Sequence, residues 1–170
     1  NPDDTYAKFD CDGRTVIMAD VLIPSIMGED AVIENKINMP GSELVGIEYE
    51  PLFSFAKELV DKPAWRVVAD GYVTMTDGTG IVHIAPTFGA DDARVAQKAG
   101  IGSLLLFDRD GKQHPMVDRS GKFWMIDDLD SVWAGQNVNA ELYAPFAGKY
   151  VKNAYDATKT DKDLSLDVEI

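Results

Sequence analysis

Interleaved apolar and polar residues predict a β-hairpin at the start of the chain. On both sides of Asp12-Gly13, apolar and β-branched residues are mixed with polar ones over residues 5–9 and 14–19. Asp-Gly is favoured at the centre of two-residue hairpin turns, because both of its residues tolerate a positive φ. We therefore predict two antiparallel strands joined by this turn.

Further segments rich in β-branched and apolar residues predict more strands. One pair flanks the turn at Pro40-Gly41 and covers residues 31–37 and 43–50. Other strands are predicted at 65–75 with a bulge at Gly71, at 81–85, within 103–118 around a turn, and at 164–170. The segment 51–63 suits either an irregular loop or a short helix.

Two helices are predicted with defined ends. Residues 20–28 are expected to form a short helix that begins at Asp20 as its N-cap and ends at Gly28. Residues 89–100 carry acids in the first turn, alanines inside and Gly100 at the end, which is the pattern of a longer helix.

The balance of these elements indicates the fold class. Strands outnumber helices, although one more helical pattern lies within 148–162, and short turns join neighbouring strands. We predict an α+β fold with a mostly antiparallel, β-barrel-like core, closed or partly closed, and a few peripheral helices. A chain of 170 residues can bury a core of its own, so residues 1–170 are expected to form one domain.

The composition excludes several classes of function. With 29 acidic and 16 basic residues, the net charge is −13, and a broad nucleic-acid-binding surface would need many more lysines and arginines. A single cysteine rules out an internal disulfide and fits a reducing compartment, and with only two histidines a zinc site is not expected. No stretch reaches the roughly 20 consecutive apolar residues of a membrane span, and no secretory signal is visible.

The candidate chemistry is concentrated in residues 78–92, GTGIVHIAPTFGADD. If 81–85 is a strand with Val82 and Ile84 facing the core, the ring of His83 projects from the opposite face. That ring then faces either solvent or the wall of a pocket, and a structural role for it stays open beside a functional one. The glycines either only form a turn that needs positive φ, or they let a ligand approach the backbone closely.

Asp91 and Asp92 lie at the predicted start of the longer helix. One of them is expected to cap the helix, and the other can point back towards the segment of His83. A carboxylate beside a helix N-terminus should stay ionised at neutral pH and attract a cation. A metal-dependent hydrolase using His83, Asp91 and Asp92 remains an alternative, whereas no serine or cysteine nucleophile motif is present.

The same segment resembles the signature of the editing domain of isoleucyl-tRNA synthetases, which the valyl and leucyl enzymes share more loosely. ELVGIEYEPLF, YVTMTDGTG and FAGKYVKNAY resemble that family in the expected order, and SLDVEI resembles the point where the domain returns to the synthetase body. The sequence of these segments most resembles the Bacteroidetes-like or eukaryote-like form of the isoleucyl branch. The resemblance covers nearly the whole chain.

The resemblance implies hydrolysis of the ester in mischarged Val-tRNA(Ile), after transfer, by a domain of a cytoplasmic ATP-dependent ligase. It implies that Asp92 binds the α-ammonium of the misattached amino acid and that His83 lines the amino-acid pocket. Thr79, Gly80 and Ala85 are the other expected substrate-binding residues. The implied partners are the aminoacylated 3′ end of isoleucine tRNA and the remainder of the synthetase chain, with no cofactor, no metal and no membrane contact.

The chain departs from the family's pattern at one point. The family has a threonine-rich strand just before the position where this sequence starts, and nothing in the chain matches it. We therefore expect weak or absent editing by the isolated chain, and weak binding of free tRNA because of the acidic charge. The alternatives to isoleucyl editing are the valyl branch, the metal-dependent hydrolase and a non-catalytic module on the same fold.

Overall fold

The computed structural model describes residues 1–51, 64–160, 163, 164 and 166, and these residues form two compact units. The first unit comprises Asn1–Glu50 with 64–101, and the second comprises Pro51 with the described residues from 102 onwards. Antiparallel sheets and short helices place the chain in the α+β class, as predicted. The predicted barrel is wrong for the described residues, because their strands form one three-stranded and one two-stranded sheet that do not close.

The sheet of the first unit is built on the predicted hairpin. Strand β1 (Thr5–Cys11) lies between β2 (Arg14–Ala19) and β3 (Glu34–Pro40), and both pairings are antiparallel. In the turn, Asp12 has φ 48° and Gly13 has φ 73°, which matches the right-handed twist of the two strands. The hairpin prediction is confirmed.

The core of the first unit is built on strands β1 and β2, and both faces of the sheet contribute to it, since the consecutive residues Tyr6 and Ala7 are both buried. The buried residues are contributed by β1 and β2 and by the segments that follow β2 and β3; they are Tyr6, Ala7, Phe9, Cys11, Met18, Ala19, Leu22, Ile23 and Leu44. Strand β3 is almost entirely exposed and pairs with β1 along one edge.

The segment after β2 is helical but differs from the prediction in its start. A 3₁₀ turn over Asp20–Leu22 leads into helix α1 (Ile23–Met27), which ends at Gly28 with φ 89°. Asp20 does not cap either element, because it lies inside the 3₁₀ turn and its carboxylate pairs with Lys36 Nζ at 2.6 Å. The end at Gly28 is as predicted.

Three predicted strands are not formed. Residues 43–50 begin within the 3₁₀ turn Gly41–Leu44. A single bridge, between Glu48 and Arg66, joins them to the predicted strand 65–75 in the described residues, so neither segment forms a strand. Residues 81–85 are irregular, because the Ala85 N–H is bonded to a carboxylate and not to a neighbouring strand. Strand β3 also begins at Glu34, three residues later than predicted.

The longer helix is confirmed. Helix α2 (Ala90–Ala99) is followed by Gly100 in the left-handed region, with φ 69°. The N–H groups of Gly100 and Ile101 donate to Gln97 and Ala96 carbonyls, which satisfies the last turn. Val95 and Ala96 are buried, and the helix belongs to the first unit.

The second unit contains short elements around a small core. They are β4 (Leu106–Phe107), β5 (Gln113–His114), α3 (Ser131–Asn137), α4 (Ala140–Tyr143) and 3₁₀ turns at Ile126–Asp128 and Asn153–Tyr155. The strand and turn predicted within 103–118 form the hairpin β4–β5, which has two residues in each strand and a connection over residues 108–112. A helix was predicted within 148–162. Among the described residues of that segment, only the 3₁₀ turn Asn153–Tyr155 is helical.

Two segments of the prediction lie outside the described residues. These are 52–63 of the ambiguous segment and most of the predicted strand 164–170. Within the part of the chain that is described, no helix combines the length and apolar character needed to cross a membrane.

Candidate functional site

The glycine turn at residues 78–80 is fixed to the sheet of the first unit. Gly78 and Gly80 have φ values of 62° and 72°, a region that glycine enters at no steric cost because it lacks a Cβ atom. The Tyr6 hydroxyl donates to Gly80 O at 2.7 Å, and the Ala19 N–H donates to Thr79 O at 2.8 Å. The positive φ expected of these glycines is therefore confirmed at both.

The two glycines differ in their surroundings. A Cβ atom added at Gly80 would lie 2.5 Å from Ala19 Cβ, whereas one added at Gly78 would meet nothing within 4 Å. Gly80 is buried and packs on the end of β2. The group that lies close to the backbone of Gly80 is thus the protein's own Ala19 side chain.

Asp92 is the acid that points back along the chain, as one of the two was predicted to do. It lies in the first turn of α2, half-buried, and its Oδ2 accepts the Ala85 N–H at 3.0 Å. Its Oδ1 lies 3.4 Å from the Tyr72 hydroxyl. An ionised carboxylate offers about four acceptor sites, so these two contacts leave capacity for a cation.

Asp91 has a different environment. Its side chain is 71% exposed, and its Oδ1 pairs with Arg94 Nη2 at 3.4 Å, one turn along the same helix. Neither acid caps α2 through a side-chain hydrogen bond, so the capping role predicted for one of them is wrong. The favourable position of both charges at the helix N-terminus remains.

His83 lies in the irregular segment 81–85 and is exposed. Val82 is also 51% exposed, so the predicted alternation of a core-facing Val82 and an opposite-facing His83 is wrong. Because the segment is not a strand, successive side chains need not alternate between two faces. His83 makes no hydrogen bond or ion pair with the residues that the structure describes.

Of the predicted site residues, the structure joins Ala85 and Asp92 by a hydrogen bond. Thr79 and Gly80 are joined to the sheet, and no bond joins His83 to Asp92 in the described residues. The roles of all five in substrate binding stay predictions.

A network that the sequence did not indicate lies next to Asp92. Arg94 Nη1 and Nη2 donate to Asp70 Oδ2 and Oδ1 at 3.1 and 3.3 Å, and Lys98 Nζ lies 3.5 Å from Asp70 Oδ2. The guanidinium of Arg94 also lies over the Tyr72 ring, 5.9 Å from its centroid. The one sequence signal was the spacing of Arg94 and Lys98, which places both on one face of α2.

These contacts hold Asp70 in its ionised form. The hydrogen bonds from Arg94, and then the N–H of Tyr72 and the charge of Lys98, lower the pKa of Asp70 from 3.8 to about 2. Because the folded-state pKa is depressed, this pairing stabilises the fold fully above pH 3.8 and loses its effect as the pH falls towards 2.

The variant Asp70→Asn is therefore expected to lower the free energy of unfolding at pH 6 and to have little effect at pH 2. Urea denaturation of both proteins at the two pH values measures this. Asp91→Asn, which removes a more exposed partner of the same Arg94, is the control and should have a smaller effect at pH 6. An equal loss for Asp70→Asn at both pH values would contradict the assignment.

The second unit contains a cavity of about 630 Å³. Its walls come from Arg109, the 3₁₀ turn at Ile126–Asp128 and helix α3, and none of the five predicted site residues contributes to it. Among the described residues, no three His, Cys, Asp or Glu side chains come together as a metal site requires, so His83, Asp91 and Asp92 do not form such a group.

Comparison with known proteins adds a relationship that geometry cannot provide. No protein-family profile matches the chain. The isoleucine–tRNA ligase of Bacteroides fragilis is 53% identical over 130 residues, which cover 76% of this chain and 11% of that protein. The corresponding values are 51%, 76% and 11% for Porphyromonas gingivalis, and 41%, 89% and 13% for Cytophaga hutchinsonii.

The chain thus spans about an eighth of the length of these relatives. The aligned part nevertheless takes in at least three quarters of the chain in each case. Over most of its length, the chain is homologous to a segment of isoleucine–tRNA ligases.

Proposed function

We propose that the chain is the editing module of an isoleucine–tRNA ligase and hydrolyses the ester of mischarged Val-tRNA(Ile). The observation that carries the proposal is the Asp92 carboxylate, which is turned back from α2 towards the segment 81–85 and keeps unused acceptor sites. An ionised acid in this position suits the α-ammonium group of an amino-acid ester.

In the proposed mechanism, Asp92 anchors the substrate by its amine. A hydrogen bond between two charged groups contributes about 1.5–3 kcal/mol, and it orients the ester for attack by water. Peptide N–H groups of the glycine turn and ribose hydroxyls of the terminal adenosine are the proposed donors to the tetrahedral oxyanion. His83, Thr79 and Ala85 are proposed to border the amino acid, with His83 helping to exclude isoleucine.

Physical limits on recognition explain why such a reaction is needed. One methylene group gives only about 1–3 kcal/mol of discrimination, a general value for which isoleucine against valine is the standard example. A synthetic site therefore accepts valine at an appreciable rate. A second, smaller pocket can admit valine and exclude isoleucine by steric clash.

The charge of the chain agrees with a module that receives only the end of the tRNA. With a net charge of −13, it offers few phosphate contacts, so the remainder of the synthetase is proposed to hold the tRNA body. Under the same proposal, the module acts in the cytoplasm as part of the larger synthetase chain.

The test is hydrolysis of Val-tRNA(Ile) and Ile-tRNA(Ile) by the whole synthetase chain that carries this segment. We expect release of valine and retention of isoleucine. Preferential cleavage of threonyl esters would instead favour the valyl branch, and activity that is lost with a chelator and restored by a metal ion would favour a metal-dependent hydrolase. No hydrolysis of any of these esters would leave a non-catalytic module.

A further inference from the structure

Tyr72 is held beside Asp92 by contacts at both its backbone and its ring. Its N–H donates to Asp70 Oδ1 at 3.2 Å, and its ring lies under the guanidinium of Arg94, 5.9 Å away. Arg94 is itself fixed by two hydrogen bonds to Asp70. The tyrosine is therefore attached to α2, the helix that also carries Asp92.

The hydroxyl of Tyr72 is the second donor that faces the Asp92 carboxylate. The Ala85 N–H reaches Oδ2 at 3.0 Å, and the Tyr72 hydroxyl lies 3.4 Å from Oδ1. Burial, and then the nearby charge of Asp92, raises the pKa of Tyr72, so the hydroxyl keeps its proton and can donate it in a hydrogen bond.

Two donors constrain a carboxylate more than one does. A single bond from Ala85 leaves the carboxylate free to rotate about its last torsion, which is broad in aspartate. A second donor on the other oxygen fixes the plane of the group. The 3.4 Å separation exceeds that of an ordinary O–H···O bond, and such contacts in unliganded sites commonly tighten when substrate binds.

We propose that Tyr72 is a positioning residue, whose hydroxyl orients the Asp92 carboxylate so that its remaining acceptor sites face the α-ammonium of the ester substrate. This inference rests on the proposed function and assigns a residue to it that the sequence pattern did not indicate. Arg94 and Asp70 then support the site indirectly, by holding Tyr72.

The test compares two substrates in the whole synthetase chain. One is Val-tRNA(Ile), and the other is its analogue with the α-ammonium replaced by a hydroxyl group. We expect Tyr72→Phe to lower kcat/KM for the valyl ester by about 5- to 20-fold, mainly through KM. This loss is near or below the lower limit for a hydrogen bond to a charged group, because the contact is as long as 3.4 Å. The effect on the hydroxyl analogue should be under about twofold, because that substrate does not use the charge of Asp92.

Tyr49→Phe is the matched control. Tyr49 is 44% exposed in the same unit and contacts the Trp65 ring by its edge, so removal of its hydroxyl should change neither substrate. Asp70→Asn, which releases Arg94, should reproduce part of the Tyr72→Phe effect with the same substrate preference.

The outcomes separate the inference from the proposed function. If Asp92→Asn lowers hydrolysis of the valyl ester while Tyr72→Phe affects neither substrate, or both equally, the positioning role is overturned and the editing function stands. If Asp92→Asn has no effect on hydrolysis of the valyl ester, the ammonium site itself is wrong and the role of Tyr72 falls with it.

Discussion

Replacement of Asp92 by asparagine is expected to lower kcat/KM for hydrolysis of Val-tRNA(Ile) by about 10- to 150-fold, the equivalent of one charged hydrogen bond of about 1.5–3 kcal/mol. Asparagine keeps an oxygen that can accept the Ala85 N–H, so the local backbone should be retained. The loss then reports the missing negative charge. Asp92→Ala should lower activity at least as much, because it also removes the Ala85 contact.

The neighbouring acid provides the control for this experiment. Asp91→Asn removes one negative charge from the same helix turn, but that side chain is 71% exposed and pairs with Arg94. Its hydrolysis rate should stay within about twofold of the unchanged protein, as for an exposed ion pair. Equal losses for the two variants would show that the charge of the helix N-terminus matters and that Asp92 has no specific role.

Replacement of Gly80 by alanine is expected to lower the free energy of unfolding by about 2–4 kcal/mol, the sum of backbone strain at positive φ and overpacking. The added Cβ would stand 2.5 Å from Ala19 Cβ, and Ala19 is completely buried at the end of β2. Neither atom can withdraw, since both are attached directly to backbone.

Gly78→Ala separates the two contributions. Gly78 has nearly the same φ as Gly80, 62° against 72°, but nothing within 4 Å of an added Cβ. The substitution should lower the free energy of unfolding only by the strain of a residue at positive φ, about 1 kcal/mol. Urea denaturation of both variants measures the difference, and equal losses would contradict the packing of Gly80 against Ala19.

Local chemistry accounts for the parts of the fold that the sequence predicts well. Asp12-Gly13 specifies its hairpin turn, and Gly28 and Gly100 end their helices, because each depends on the φ preference of one or two residues. The failures have a common origin. Residues 43–50, 65–75 and 81–85 have strand-like composition, but a strand also needs backbone partners along its length, and composition does not supply them. Residues 43–50 and 65–75 pair with each other only around Glu48 and Arg66, and the Ala85 N–H donates to a side chain.

The candidate site divides in the same way. Asp92 could be selected from the sequence, because acids at the start of a helix are a local pattern and the surrounding motif resembles a known one. Tyr72 and Asp70 could not, since they lie about twenty residues before Arg94 and Asp92 and meet them only in the folded chain. The exposed position of His83 agrees with one of the two surfaces predicted for it, although the strand on which that prediction rested is not formed.

The attachment of the glycine turn to the hairpin sets an order of events in folding. Tyr6 and Gly80 are 74 positions apart, whereas Cys11 and Arg14 pair across two residues. The hairpin can form within microseconds, whereas closure of the longer loop carries a larger entropy cost, so we expect the hairpin to form first. Defects in the hairpin turn should therefore slow refolding, and defects at Gly80 should chiefly hasten unfolding.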